Sequence, residues 1–220
     1  MSIRQTCSAL LLVLVLALYG PDATAASRLE ELGWSSARLK SAGEAAGEGL
    51  THSMLLAHRS GEILWRWGPV EEKLQIFSIR KSLVSALFGI YAHRDQVDLD
   101  ATLADLGIDD KQGLTVQERQ ASVRELLAAR SGVYHPAAYE TPGMASNRPE
   151  RGAHAHGEHW FYNNWDFNAL NTIFEKTTGV KIPAAFRGRI ADPAGMQDFR
   201  QEDVLYILED ASEPLRWSSG

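Results

Sequence analysis

Cysteine is almost missing. One, Cys7, stands in 220 residues, and it precedes an apolar run instead of following one, so it is badly placed for lipid attachment. Long apolar runs are missing too. The longest, Ala9 to Tyr19, has 11 residues and is too short to span a bilayer. With Arg4 ahead of it and Ala23-Thr24-Ala25 behind it, the run reads as a signal peptide over residues 1–25, cut before Ala26. An uncleaved anchor is the alternative. Cleavage would leave no cysteine and no disulfide, in a periplasmic or secreted protein with no stable membrane insertion. Excess positive charge is also lacking. The net charge of −6 gives no reason to expect nucleic acid or an acidic membrane surface as partner. There is no internal repeat and no clear linker. The remaining residues, in a chain that is 45% hydrophobic, suffice for one domain with a real core.

Against these absences stands Phe77-Ser78-Ile79-Arg80-Lys81-Ser82, which reads S-x-x-K. Leu83, Leu87 and Tyr91, widened by Val84 and Ile90, follow with the period of a buried amphipathic helix. A helix starting near Ser78 puts Lys81 one turn on, on the same face. A serine hydroxyl is a weak nucleophile that needs an adjacent base. A lysine in apolar surroundings is partly desolvated, which favours its neutral form. Free N–H groups at the helix start suit an oxyanion. Taken alone, the motif is a weak signal and more readily describes a serine N-cap followed by an exposed lysine.

A second stretch, Trp160-Phe161-Tyr162-Asn163-Asn164-Trp165-Asp166-Phe167-Asn168, contains Y-x-N. Phe167, Leu170, Ile173 and Phe174 then give an apolar helix face, and Gly179 a C-terminal stop. Here the chain resembles the serine β-lactamase and penicillin-binding-protein superfamily, in the branch of class C β-lactamases and related esterases and amidases. The resemblance rests on Ser78-x-x-Lys81 and Tyr162-x-Asn164. Between them, Leu126-Leu127-Ala128-Ala129-Arg130-Ser131-Gly132 looks like the family's L-L-x-x-x-S-G segment. After them, Ile190-Ala191-Asp192-Pro193-Ala194-Gly195-Met196 looks like its P-x-G-M segment. Together these landmarks cover roughly residues 30 to 200.

The resemblance implies an α+β fold, an antiparallel sheet flanked by helices with a helical subdomain. It implies a small-molecule ester, amide or β-lactam as substrate and no cofactor. Ser78 would attack the carbonyl and form an acyl-enzyme. Lys81 and Tyr162 would share the proton work, and Asn164 would bond the substrate or Lys81. A tyrosine with a pKa near 10 is a poor base unless a cation favours its anion, so the proton belongs to the Lys81–Tyr162 pair.

The chain departs from the family pattern in one respect. No third motif of the K-T-G or H-x-G kind follows Asn164. Lys176-Thr177-Thr178-Gly179 is a near miss inside the last turn of a helix. Family members continue well past the point where Gly220 ends this sequence. Residues 26–220 are therefore expected to be the N-terminal part of a hydrolase domain, with an incomplete sheet. A non-catalytic remnant or penicillin-recognising module is the first alternative. The second is a metal-dependent hydrolase built on His154, His156 and His159 in H-x-H-x-E-H, a composition that suits zinc. Against it, the preceding residues 147–153 are polar, not a buried strand, and no further ligand cluster is evident.

The remaining segments read coarsely. Ser35-Ser36 caps a helix through Leu39, Ala42 and Ala46. Ser53–His58 and Glu62–Trp67 form a hairpin. Thr115 to Glu118 is a capping-box pattern, and Ser122 caps a short helix to Ala129. From Val133 to His159, Pro136, Pro142, Pro149 and several glycines break any period. That loop is expected to wall the site, with Tyr134 and Tyr139 as substrate contacts or as packing. Trp160, Phe161, Trp165 and Tyr134 serve as an apolar substrate wall or as core. A helix is expected over Pro183–Ile190, and a strand or buried turn over Val204–Leu208.

Overall fold

The computed structural model describes residues 23–49, 52–208 and 217–219. Most of the expected leader lies outside that range. Ala23–Ala25 are the first residues of helix α1, Ala23–Glu31. The chain divides into two units, one ending at Leu74 and one starting at Gln75.

In the first unit, Ser35 caps α2, Ser36–Gly47, by accepting from the Arg38 N–H at 3.3 Å. Strands β1, Met54–Ala57, and β2, Ile63–Trp67, pair antiparallel with Met54 opposite Trp67 and Leu56 opposite Trp65. Gly61, at φ +89, makes the connecting turn. Trp67 packs on α2 so closely that a Cβ on Gly43 would sit 2.3 Å from the indole, so only glycine fits there.

The second unit is built on two 14-residue helices, α3, Ile79–Ala92, and a later one, Trp165–Thr178. The apolar stripe of α3 turns Leu87 and Phe88 fully inward. From the later helix Leu170, Ile173 and Phe174 meet them, with Phe88 and Tyr91 edge-on to Phe174 at 5.5 and 4.8 Å. Between these helices the capping boxes form. Thr115 and Glu118 exchange backbone and side-chain bonds around the 3₁₀ turn Glu118–Gln120. Ser122 and Glu125 do the same for α4, Val123–Leu127.

The loop after Gly132 departs from its expected irregularity at Pro142. That proline starts a short helix, α5 (Pro142–Ser146), instead of breaking the chain, because its missing N–H falls where a helix needs none. Thr141 caps it by accepting from Met144 N–H. Helix α6 is then Trp165–Thr178, ended by Gly179 in the left-handed region at φ +69. Helix α7, Ile182–Phe186, has Pro183 in its first turn and widens into a π turn over Arg187–Ala191, so the expected single helix is two pieces. Last, β3, Tyr206–Leu208, pairs antiparallel with β4, Trp217–Ser219. The chain is α+β, with helices and antiparallel strands.

Candidate active site

Phe77 adopts φ +43, a left-handed backbone that costs a side-chain-bearing residue about 1–2 kcal/mol. The turn delivers Ser78 to the mouth of α3, where it stands exposed at the N-cap position. Its hydroxyl makes no capping bond. Instead Lys81 Nζ donates to Ser78 Oγ at 2.9 Å. Lys81 is only 5% exposed, so the plain reading of a capping serine with a solvated lysine does not describe this helix start.

Lys81 Nζ also donates to Asn164 Oδ1 at 2.8 Å. The Asn164 amide is held in that orientation from behind, because its Nδ2 donates to Tyr139 O at 2.7 Å and Ala138 O at 3.3 Å. The ammonium lies over the rings of Tyr162 and Phe167, 4.8 and 5.3 Å from their centroids. Burial pushes the Lys81 amine down, aided by the charge of Arg80 and opposed by its contact with Tyr162. For Tyr162 burial acts upward. Its interactions with Ser78 and Lys81, and the charges of Lys81 and Arg80, outweigh burial and leave the phenol below its ordinary value. Each group thus acts on the other's proton affinity.

The Ser131-Gly132 segment places Tyr162. Gly132 has φ +72, and a Cβ there would lie 3.0 Å from His154 O and His156 N. The close approach lets Gly157 N–H bond Arg130 O at 2.8 Å and Phe161 N–H bond Ala129 O at 3.0 Å. Ser131 Oγ donates to Asp166 Oδ1 at 2.5 Å, tying this segment to the first turn of α6. Asp166 is fully buried, and burial raises its carboxyl to about 7.

Ser78 and Lys81 stand between two clefts. One, about 530 Å³, is walled by Phe77, Arg80, Tyr139, Thr141, Pro142 and Met144 among others. The other, about 360 Å³, is walled by Ser82, Ser85, Leu127, Tyr162 and Phe167. The site thus brings together Ser78, Lys81, Tyr162 and Asn164.

It does not include Tyr134, which is 5% exposed and packs edge-on against Phe161 and His154 at 5.9 and 6.1 Å. The loop spends that aromatic on its own packing. Its neighbour Tyr139, at φ +61, walls the larger cleft instead. Of the remaining aromatics, Trp165 is buried with its indole N–H on Asp110, while Trp160 is 57% exposed and stacks near Tyr162.

The histidines also part company. His156 bonds Glu125 at 3.0 Å, whereas His154 and His159 stack on each other at 4.1 Å. Among the described residues no group of three or more His, Cys, Asp or Glu side chains could hold a metal ion. The sequence reading missed Arg80 and Asn168, both buried beside the motifs, since neither belongs to a pattern that spacing can reveal.

Comparison with solved structures finds similar folds at low identity. One is SurE in complex with D-Leu, 19% identical, TM-score 0.47, covering 74% of this chain and 40% of that one. Another is the octameric penicillin-binding protein homologue from Pyrococcus abyssi, 20% identical, TM-score 0.49, covering 76% of this chain and 45% of that one. The chain thus spans less than half the length of either protein. No curated protein sequence matches. The Beta-lactamase family model matches residues 63–202, more than half of the chain and the whole of the Ser78, Ser131 and Tyr162 segments, and the chain accordingly belongs to the beta-lactamase family.

Proposed function

We propose that the chain is a serine hydrolase acting on a small ester, amide or β-lactam through an acyl-enzyme on Ser78. The observation that carries this reading is the buried Lys81 amine at 2.9 Å from Ser78 Oγ, with the Tyr162 ring 4.8 Å away. A lysine pushed toward its neutral form and a tyrosine pushed toward its anion together make a base for the Ser78 hydroxyl. As the Ser78 Oγ–carbon bond forms, the hydroxyl proton passes to the Lys81–Tyr162 pair, and the carbonyl electrons move to oxygen. The oxyanion rests beside the Ser78 N–H at the mouth of α3, because the N–H groups of Ile79, Arg80 and Lys81 already bond Ile76 O, Phe77 O and Ser78 O. Collapse breaks the bond to the leaving group, which takes the proton. Water then hydrolyses the acyl group by the same route reversed. Asn164 keeps Lys81 aimed at Ser78, and the two clefts take the acyl and leaving parts of the substrate. The leader-like residues 1–25 support a place in the periplasm or outside the cell.

The test is turnover of p-nitrophenyl acetate and of a chromogenic β-lactam by the wild type and Lys81→Met. The reading expects hydrolysis of at least one compound and a loss of roughly 10²–10⁴-fold in the variant, the usual contribution of a positioned base. A variant as active as the wild type would remove the amine from the mechanism.

A further inference from the structure

Arg80 is the second residue after the nucleophile and the one before Lys81. It is 8% exposed. A guanidinium buried to that degree normally faces a carboxylate, because an unpaired buried charge is costly. Among the described residues Arg80 has no such partner. Its Nη2 donates to Asn168 Oδ1 at 3.3 Å, and its Nη1 is buried with no hydrogen-bond partner. The seat itself is well defined. Asn168 lies one turn after Asn164 on α6 and is 3% exposed. Its Nδ2 donates to Ala138 O, the same carbonyl that receives Asn164 Nδ2. A ring of contacts therefore runs from Ser78 through Lys81, Asn164, Ala138 O and Asn168 to Arg80, and closes along α3.

We infer that Arg80 is a positioning residue whose fixed, unneutralised charge holds the Lys81–Tyr162 pair in its base form. The inference rests on the serine hydrolase reading. The guanidinium charge disfavours protonation of the lysine and favours the phenolate; it is the smallest of the influences on each group, and it adds to the burial that lowers Lys81 and to the Ser78 and Lys81 contacts that lower Tyr162. The low dielectric around the pair strengthens the effect. The neutral seat is part of the device, since a carboxylate in place of the Asn168 amide would cancel the charge locally. The other charged groups nearby leave it intact. Glu140, on the cleft-wall loop, is held by Arg148 at 2.5 Å, and Asp166 on α6 carries its proton up to about 7.

The experiment is the pH dependence of Ser78 acylation by a neutral p-nitrophenyl ester in the full chain, comparing wild type, Arg80→Gln, Arg80→Lys and Asn168→Asp. Without the charge, the acidic limb of the profile is expected to move up by about one pH unit in Arg80→Gln, with the rate returning to near the wild-type plateau at high pH. Arg80→Lys keeps the wild-type limb. Asn168→Asp, which retains the arginine, moves the limb in the same direction as Arg80→Gln and answers the question even where Arg80→Gln fails to fold. A limb unmoved in Asn168→Asp, or a rate lowered equally at every pH in Arg80→Gln, would overturn the inference and leave Arg80 a packing residue. A wild type that does not acylate at any pH would overturn the hydrolase reading together with it, a result distinct from acylation with an unmoved limb.

Discussion

Replacing Asp166 with asparagine should make the protein more stable above neutral pH and leave it nearly unchanged near pH 4. The carboxyl is fully buried. It accepts from Ser131 Oγ at 2.5 Å on one oxygen, and its other oxygen has no partner. Burial raises its pKa from 3.8 to about 7. The folded protein then binds a proton that the unfolded chain releases between about pH 4 and 7. The favourable contribution is therefore complete below pH 4 and is lost as pH rises through 7. A shift of about three units at 1.36 kcal/mol each gives roughly 4 kcal/mol of lost stability by pH 8. Asparagine keeps an acceptor for Ser131 and carries no charge, so it removes that loss. The assay is urea denaturation of wild type and Asp166→Asn at half-unit steps from pH 4 to 8.5. The difference between the two curves cancels groups such as Asp110, held at about 2, whose contribution runs the other way at low pH. A difference that stays flat across this range would refute the buried, protonated carboxyl.

Further expectations follow from other parts of the site. Gly132→Ala should cost about 2 kcal/mol or more, from the left-handed backbone and the 3.0 Å approach of residues 154–156, and should reduce acylation by displacing Tyr162; thermal melts with burst kinetics check both. Tyr134→Phe should be neutral or slightly stabilising with unchanged kinetics, because the buried hydroxyl lacks a hydrogen-bond partner. Loss of substrate affinity in that variant would return Tyr134 to the site. His135→Ala should destabilise by about 2 kcal/mol, because the buried ring fills the space between Asp110 and Glu118, 3.2 and 3.1 Å away, and its loss removes the bond from Nε2 to Glu118 and leaves a void; denaturant titration measures it.

Much of this was legible in the sequence because it is local. The α3 stripe, the capping serines at 35 and 122, the turn of the hairpin and the stop at Gly179 each follow from a few neighbouring residues. The S-x-x-K and Y-x-N motifs were legible as patterns, and their separation in sequence is closed by one bond from Lys81 to Asn164. What escaped is non-local. Nothing in the order of residues says that Tyr134 turns inward and Tyr139 outward in a loop without period. Nor does it say that Ser131 reaches Asp166 across 35 positions. The histidine cluster has a composition that suits ligands and a polar setting that argues against them, but its order of residues does not show that the backbone of residues 154–157 is committed to packing on Gly132 and Arg130. Arg80 was passed over because the variable positions inside a motif carry no spacing signal.

The central claim is that Ser78 is an activated nucleophile. The most direct measurement is intact-protein mass after incubation with a fluorophosphonate and, separately, with a penicillin, for the wild type and Ser78→Ala. The account predicts a single adduct with at least one reagent in the wild type and none in Ser78→Ala. An adduct that persists in Ser78→Ala, or its absence from a wild-type chain that melts cooperatively, would contradict the account.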